Sequence, residues 1–508
     1  MNYINLFRST LPETALEIAA LLVLFVDLGF LRKAARATRI AVAAVLGIAG
    51  CLAALWAVSI AGPFSAGNDL LLSAGGSAGV AQVAVLALTA LTLLLLIDSD
   101  FTRNPGEYVA VVLMAAAGGL LISAAQDLLV IFAGLELLSL SLYILTAFAK
   151  QSGKSAESAI KYYVFGAMSA AFLLFGFSYL YGLTGSTNLH EIALAAAVGR
   201  AASATPLLYI ALVMVAVGLG FKVAAVPFHL WAPDTYEGAP APAAAFIASV
   251  SKVASFALLV GIGTAFFHVF DNLHRGVLFV RFGFPTRYLG LLAPWELILT
   301  VLAVASMIFG NLAALAQSSV RRLLAYSAIA HAGYILLGLA FFSWTNVSAQ
   351  AVLYYIVTHG LTTIGAFGVV GVVERAVGSD RLEAFLGLQK RNPLLAAVML
   401  VLFLSLAGIP PLVGFWAKFN LFAAVLRTSG GALPFTLVAL AVLFSAVSLY
   451  YYLQVLKRVY VMPATDESPI TARPVTVAVL VLITAAVVVL GCFPALLQSW
   501  IASFYPHP

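Results

Sequence analysis

The stretch MVAVGLGFKVAAVPFHLWAPD, from Met214 to Asp234, is apolar along most of its length, yet Lys222 sits inside it and Pro227 follows. A buried ammonium is costly unless it is paired, and proline removes a backbone donor and opens the helical ladder. The surrounding composition says what medium this stretch occupies. Of 508 residues, 63% are hydrophobic and only 9% are charged, whereas about a quarter of an ordinary soluble domain is charged. So few charges cannot cover a soluble surface, and the mean hydropathy of +1.07 agrees. The chain reads as an all-α polytopic membrane protein. Its apolar runs of about 20 residues match a ~30 Å hydrocarbon core. They are continuous, which excludes the alternating pattern of barrel strands.

Fourteen membrane helices are expected, at about 13–31, 40–62, 77–97, 108–125, 127–149, 159–183, 206–228, 240–268, 289–315, 322–343, 348–374, 393–427, 432–457 and 474–500. The start of the chain has one basic residue and two glutamates ahead of its apolar run, so it reads as a retained first helix, not a signal peptide. Fourteen crossings put both termini on one side. With that side outside, sixteen of the 26 Lys and Arg residues fall in cytoplasmic loops and six fall outside, the asymmetry that orients membrane proteins. This predicts a bacterial inner (plasma) membrane protein with periplasmic termini. The net charge of +6 then belongs to cytoplasmic loops and not to a nucleic-acid surface. The external segment FDNLHRGVLFVRFGFPTR carries three arginines that this scheme does not explain. Cys51 and Cys492 lie far apart in apolar segments and suggest neither a disulfide framework nor a metal site.

The four remaining basic residues, Lys161, Lys222, Lys252 and Lys418, fall inside expected helices, where a central lysine costs about 2.5–3.5 kcal/mol on insertion scales. Lys161 begins its helix and also fits a snorkelling role. Glu136 lies mid-helix in VIFAGLELLSLSLYIL. Burial favours a neutral amine and a nearby carboxylate favours the ammonium, so a Glu–Lys pair with further lysines forms a set of switchable proton sites. His331 and His359 lie within helices as further candidates, and His229 lies at a cytoplasmic helix end. For each histidine a packed, hydrogen-bonded role stands beside the proton-carrying one. Glu17, Asp27 and Glu296 lie nearer helix ends and read as interface or subunit-contact residues.

Pro227 is followed by Pro233, Pro240 and Pro242, so helix 7 should be broken. Helix 12 repeats the design in LVLFLSLAGIPPLVGFWAKFNLFAAVLR, where Gly408, Pro410 and Pro411 precede Lys418. Unwound backbone survives at membrane depth only where protein or water satisfies it, and matched breaks in two halves point to inverted repeats. The expected units are 1–107, a three-helix segment; 108–270, helices 4–8; 271–288, the external loop; 289–460, helices 9–13 in inverted orientation; and 461–508, helix 14.

The segments GFKVAAVPFHLWAPDTYEGAPAPAAAFIASVSKVASF, GNLAALAQSSVRRLLAYSAIAHAGYILLGL and LSLAGIPPLVGFWAKF resemble the antiporter-like membrane subunits of the proton-pumping NADH–quinone oxidoreductase, respiratory complex I. The likeness runs over essentially the whole chain. Lysine at position 418, the APAPAAAFIASVSKVA segment and an end after helix 14 resemble the N type more than the sister M and L types. The loop around 270–288 looks longer than usual for the family. The resemblance implies that Glu136 and Lys222 form a coupling pair, that Lys252 is a central site and that Lys418 is a terminal site. It also implies that Lys161 lies near the pair and that His331 and His359 lie on or beside the polar axis. It implies no cofactor in this subunit, with FMN, iron–sulfur clusters and quinone handled by others. Neighbours of the M and K types are implied, with A, H, J and L types in the same assembly. The competing readings are a subunit of a multi-subunit sodium/proton antiporter and a purely structural membrane scaffold.

Overall fold

A computed structural model describes residues 7–61, 71–73, 75–197, 205–275, 289–341, 346–428, 431–464 and 466–505. From residue 276 to 288, the arginine-bearing loop lies outside the described residues. Among the described residues, the chain is an all-helical, multi-pass membrane bundle. Twelve helices are long and apolar enough to cross a membrane. Helix 1 (Leu11–Gly29), which carries Glu13, Glu17 and Asp27, and the broken helix 12 complete the fourteen expected.

Helices 4 and 5 (Pro105–Ala124 and Leu128–Thr146) are separate despite their three-residue connection. Asp127 ends the connection by accepting the Leu129 amide, and Ser319 does the same for the Arg322 amide at the start of helix 10 (Val320–Ala340). Each cap satisfies a donor that the first helical turn leaves free. Proline opens helices 1, 4 and 14, where its missing donor costs nothing. The expected single helix 14 is divided: Pro474–Cys492 stops at Phe493, and Pro494–Ser503 restarts, because Pro494 has no amide to continue the ladder. A short helix, Leu189–Ala197, also follows helix 6 (Gly153–Thr184).

The two halves repeat in detail. After helix 6, the Leu128 amide donates to the Thr187 carbonyl and the Leu189 amide to the Gln126 carbonyl. After helix 11 (Asn346–Val377), the Val320 amide donates to Asp380 and the Leu382 amide to Ser318. A Cβ on Gly118 of helix 4 would meet the Leu138 amide at 2.7 Å, and one on Gly310 of helix 9 (Leu289–Leu315) would meet the Ala330 amide at 2.6 Å. These glycines let each helix pair pack backbone to backbone, as small residues do in membranes. Five crossings per unit is an odd number, so the second unit runs in the opposite sense. Helices 8 (Ala241–Arg275) and 10 form the centre: their most apolar windows are 100% and 94% buried, against 28% for helix 13 (Ala432–Tyr460). Polar groups on helices 8 and 10 therefore face protein, not lipid.

Candidate functional site: a buried polar axis

Helix 7 stops at Val223 and resumes as Trp231–Gly238. Ala224 takes a positive φ of 58°, and the Val226–Pro227 bond is cis. The freed backbone groups find partners. The Ala225 amide donates to the Gly220 carbonyl at 2.8 Å. The Val226 amide donates to Ser306 Oγ at 2.9 Å, and Trp231 Nε1 to the Phe221 carbonyl at 2.9 Å. Lys222, in the last turn before the break, is buried and donates its ammonium to Ser139 Oγ on helix 5. The Ser139 hydroxyl in turn donates a hydrogen bond to the Leu135 carbonyl. Glu136 is half-buried one turn from Ser139, within electrostatic reach of Lys222. No ion pair joins the two within 4.0 Å among the described residues. The hydroxyl of Ser139 is thus the resting partner, a role the sequence reading did not assign.

Lys252, in the middle of helix 8, donates to the Ala328 carbonyl on helix 10 at 2.7 Å. His359, Ser249 and Gly360 line the same small cavity. His359 stacks on His331 with ring centroids 4.4 Å apart and planes at 20°. His331 Nδ1 meets the Tyr355 hydroxyl at 2.8 Å. The other His331 nitrogen and both His359 nitrogens have no hydrogen-bond partner among the described residues. Both imidazoles lie within electrostatic reach of Lys252 and Lys418.

Helix 12 consists of Pro393–Ala407 and Val413–Thr428. Lys418, on the second piece, donates back across the break to the Ala407 carbonyl and to Ser445 Oγ of helix 13, each at 2.8 Å. Its ammonium also lies 5.5 Å from the Tyr334 ring centre, a favourable cation–π distance. Tyr334 is held by Asn311, whose Oδ1 accepts from the Tyr451 hydroxyl at 3.3 Å. Lys222, Lys252 and Lys418 are therefore all buried and all held by neutral oxygens. In the register set by Leu128 and Val320, Glu136 corresponds to Ala328, and Ser139 to His331. The two halves thus use different chemistry at equivalent positions of the repeat.

Lys161 stands elsewhere. It pairs with Glu157 at 2.7 Å and with Asp234 at 2.9 Å. Arg322 binds Asp234 at 2.6 Å and Glu237 at 3.1 Å. These groups, with Lys154, surround a polar cavity of ≈ 270 Å³ at one end of the bundle. Partial burial works against the charge on Asp234, but hydrogen bonds from Lys161 and Arg322 hold its carboxyl below the usual value. Lys161 thus belongs to a partly exposed ionic cluster that ties the second piece of helix 7 to helices 6 and 10. His229 lies in the helix 7 break, buried against Phe309 with ring centres 4.8 Å apart. Its Nδ1 has no partner among the described residues. Asp27, expected at an interface, is paired within the chain to Arg39 at 2.7 Å.

The family profile described as "NADH:quinone oxidoreductase/Mrp antiporter, TM" matches residues 125–281 and 263–445. NADH-quinone oxidoreductase subunit N 2 of Acidobacterium capsulatum is 46% identical, over 99% of this chain and 99% of its own. The chain belongs to the subunit N family of NADH-quinone oxidoreductases. A chain of respiratory complex I from Thermus thermophilus superposes with a TM-score of 0.75 at 32% identity, covering 96% of this chain and 98% of that one. A chain of the Mrp complex from Dietzia sp. DQ12-45-1b also gives 0.75, at 21% identity over 99% of this chain and 97% of that one. At that identity it shows the shared fold alone. The chain is accordingly a subunit of a larger redox-driven complex and works with other subunits of it.

Proposed function

We propose that this chain carries protons across the membrane as the N subunit of NADH-quinone oxidoreductase, through Lys222, Lys252, the His331–His359 stack and Lys418. One observation carries the reading: three ammonium groups in the core, each held only by neutral oxygens. Such a lysine has no carboxylate fixing its charge, so a modest change in field or hydrogen bonding releases its proton. Glu136 supplies the adjustable field. When Lys222 pairs with Glu136 it keeps its proton; when Glu136 is neutralised or drawn away, Lys222 yields it inward. The proton then passes to Lys252, on to the imidazoles, and to Lys418. The breaks in helices 7 and 12 expose backbone carbonyls and polar groups that solvate the moving charge. His229 and the cavity around Lys161 and Asp234 stand at the uptake end.

In this reading the chain has no independent active site. FMN, iron–sulfur clusters and quinone belong to other subunits; support comes from the presence of only 2 cysteines, too few for a cluster's usual four thiolates. M- and K-type subunits flank it, and it sits in the bacterial plasma membrane with both termini outside. The family description, which also names Mrp antiporters, supports a second reading, a subunit of a multi-subunit sodium/proton antiporter. Purification in a gentle detergent separates the two. NADH-driven quinone reduction in the preparation fits the first; small membrane partners without redox activity fit the second.

The decisive test of the carrier role uses Lys222→Ala and Lys222→Arg in the assembled complex. Arginine keeps the charge but does not release its proton in this range. Both variants should assemble and lose coupled proton transport in proteoliposomes. Wild-type pumping by an assembled Lys222→Ala complex would sink the assignment.

A further inference from the structure

At the end of the bundle opposite the Lys161 cluster, helices 5 to 10 leave a narrow apolar cleft of ≈ 80 Å³. Leu212, Val215, Leu259, Leu299 and Leu339 line its wall and are buried. Trp295 and Glu296 line it too, but Trp295 is half-buried and Glu296 exposed, so these two form its rim. Glu296 is the one ionisable side chain among the lining residues. No cation pairs with it among the described residues. Close in sequence to lining residues, Leu129, Val213 and Leu297 are 64%, 51% and 64% exposed, so the described surface beside the cleft is apolar. A tryptophan beside a carboxylate at the start of a membrane helix marks headgroup level.

An apolar cleft open to the bilayer loses dispersion contacts if nothing fills it. We propose that part of one acyl chain of a phosphatidylethanolamine molecule enters this cleft, with the headgroup ammonium against Glu296. The wall takes hydrocarbon from any lipid. The carboxylate repels anionic headgroups and prefers one that presents a primary ammonium. The lipid would bridge helices 7 and 8 of one repeat and helices 9 and 10 of the other.

The test uses the whole complex in nanodiscs of equal phosphatidylethanolamine and phosphatidylglycerol. In separate samples, one or the other lipid bears a photoreactive diazirine on an acyl chain. After illumination, lipid adducts are mapped by peptide mass spectrometry. Phosphatidylethanolamine should label the 205–223 and 241–266 segments about two- to fivefold more than phosphatidylglycerol, the range an exposed ion pair supports. Glu296→Gln should bring that ratio to one while labelling persists. Val215→Trp, which fills the cleft, should lose labelling by both lipids. NADH-driven quinone reduction should persist in Glu296→Gln, reporting assembly. Equal labelling of the wild type by the two lipids overturns the headgroup preference, as does a ratio unchanged in Glu296→Gln. Absence of adducts on these segments overturns the site, because the cleft is then covered by protein. If Glu296→Gln does not assemble, the wild-type ratio decides alone.

Discussion

Gly408 offers a way to disturb Lys418 without touching it. The residue has a φ of 89°, a left-handed conformation that costs a residue with a Cβ about 1–2 kcal/mol. A Cβ there would stand 3.0 Å from Lys418 Cδ and 3.3 Å from Nζ. Carbon contacts settle at about 3.5–4.0 Å, so in Gly408→Ala the lysine stem must retreat by roughly 0.5–1 Å. That carries the ammonium, now 2.8 Å from both the Ala407 carbonyl and Ser445 Oγ, beyond good hydrogen-bond range for at least one of them. A hydrogen bond to a charged group is worth about 1.5–3 kcal/mol, so the occupied resting state of Lys418 should fall about tenfold or more. Gly378 is the control. Its φ is 78° and a Cβ there meets nothing within 4 Å, so Gly378→Ala carries the same backbone penalty and leaves every lysine in place. Both complexes are reconstituted, and protons moved per NADH oxidised are measured. Gly378→Ala should match the wild type in that ratio, while Gly408→Ala should fall well below it. Equal ratios in the two variants would refute the link between the Lys418 hydrogen bonds and transport.

Other consequences are open to test. Lys252→Met keeps the stem and removes the donor to Ala328; the complex should assemble, with proton transport lost in the same proteoliposome assay. Arg39→Met leaves Asp27, only 2% exposed, without its cation, and breaking a buried pair costs about 3–5 kcal/mol. The yield of assembled complex should drop, and Asp27→Ala added to Arg39→Met should restore part of it. Asp234 is held below its ordinary value in the fold, so its contribution to stability is complete above the usual carboxylate range and is lost as pH falls through the lowered value. Below about pH 4, the melting temperature of the wild-type complex should fall more steeply than that of Asp234→Asn.

The buried lysines were legible because composition made them conspicuous: few charges occur in the apolar runs, and two of the three, Lys222 and Lys418, precede or follow proline. The repeat was legible for the same reason, from matched Gly/Pro interruptions. The acceptors were not. Ser139 is one serine among many, and the Ala328 and Ala407 carbonyls have no side-chain signature, since any residue offers one. The signal that could have found Ser139 is its spacing, three residues from Glu136 and so on the same helical face. Lys161 was grouped with Glu136 and Lys222 through the family resemblance. Its structural partner Asp234 and the neighbouring Arg322 are distant in sequence, so only the tertiary fold brings this cluster together. Pro494 could have been read as a break in helix 14, but the apolar run continued through it and dominated the reading.

The stacked imidazoles of His331 and His359 set a rule for traffic along the axis. Two unit charges about 4 Å apart repel by about 4 kcal/mol at an effective dielectric constant of about 20, a disfavour of about a thousandfold. At a centroid separation of 4.4 Å the two rings therefore do not carry a proton at the same time. On the route proposed above, the stack would then work as a turnstile: a proton arriving from Lys252 would wait until the one ahead had left toward Lys418, and the spacing of two rings would keep the queue in single file.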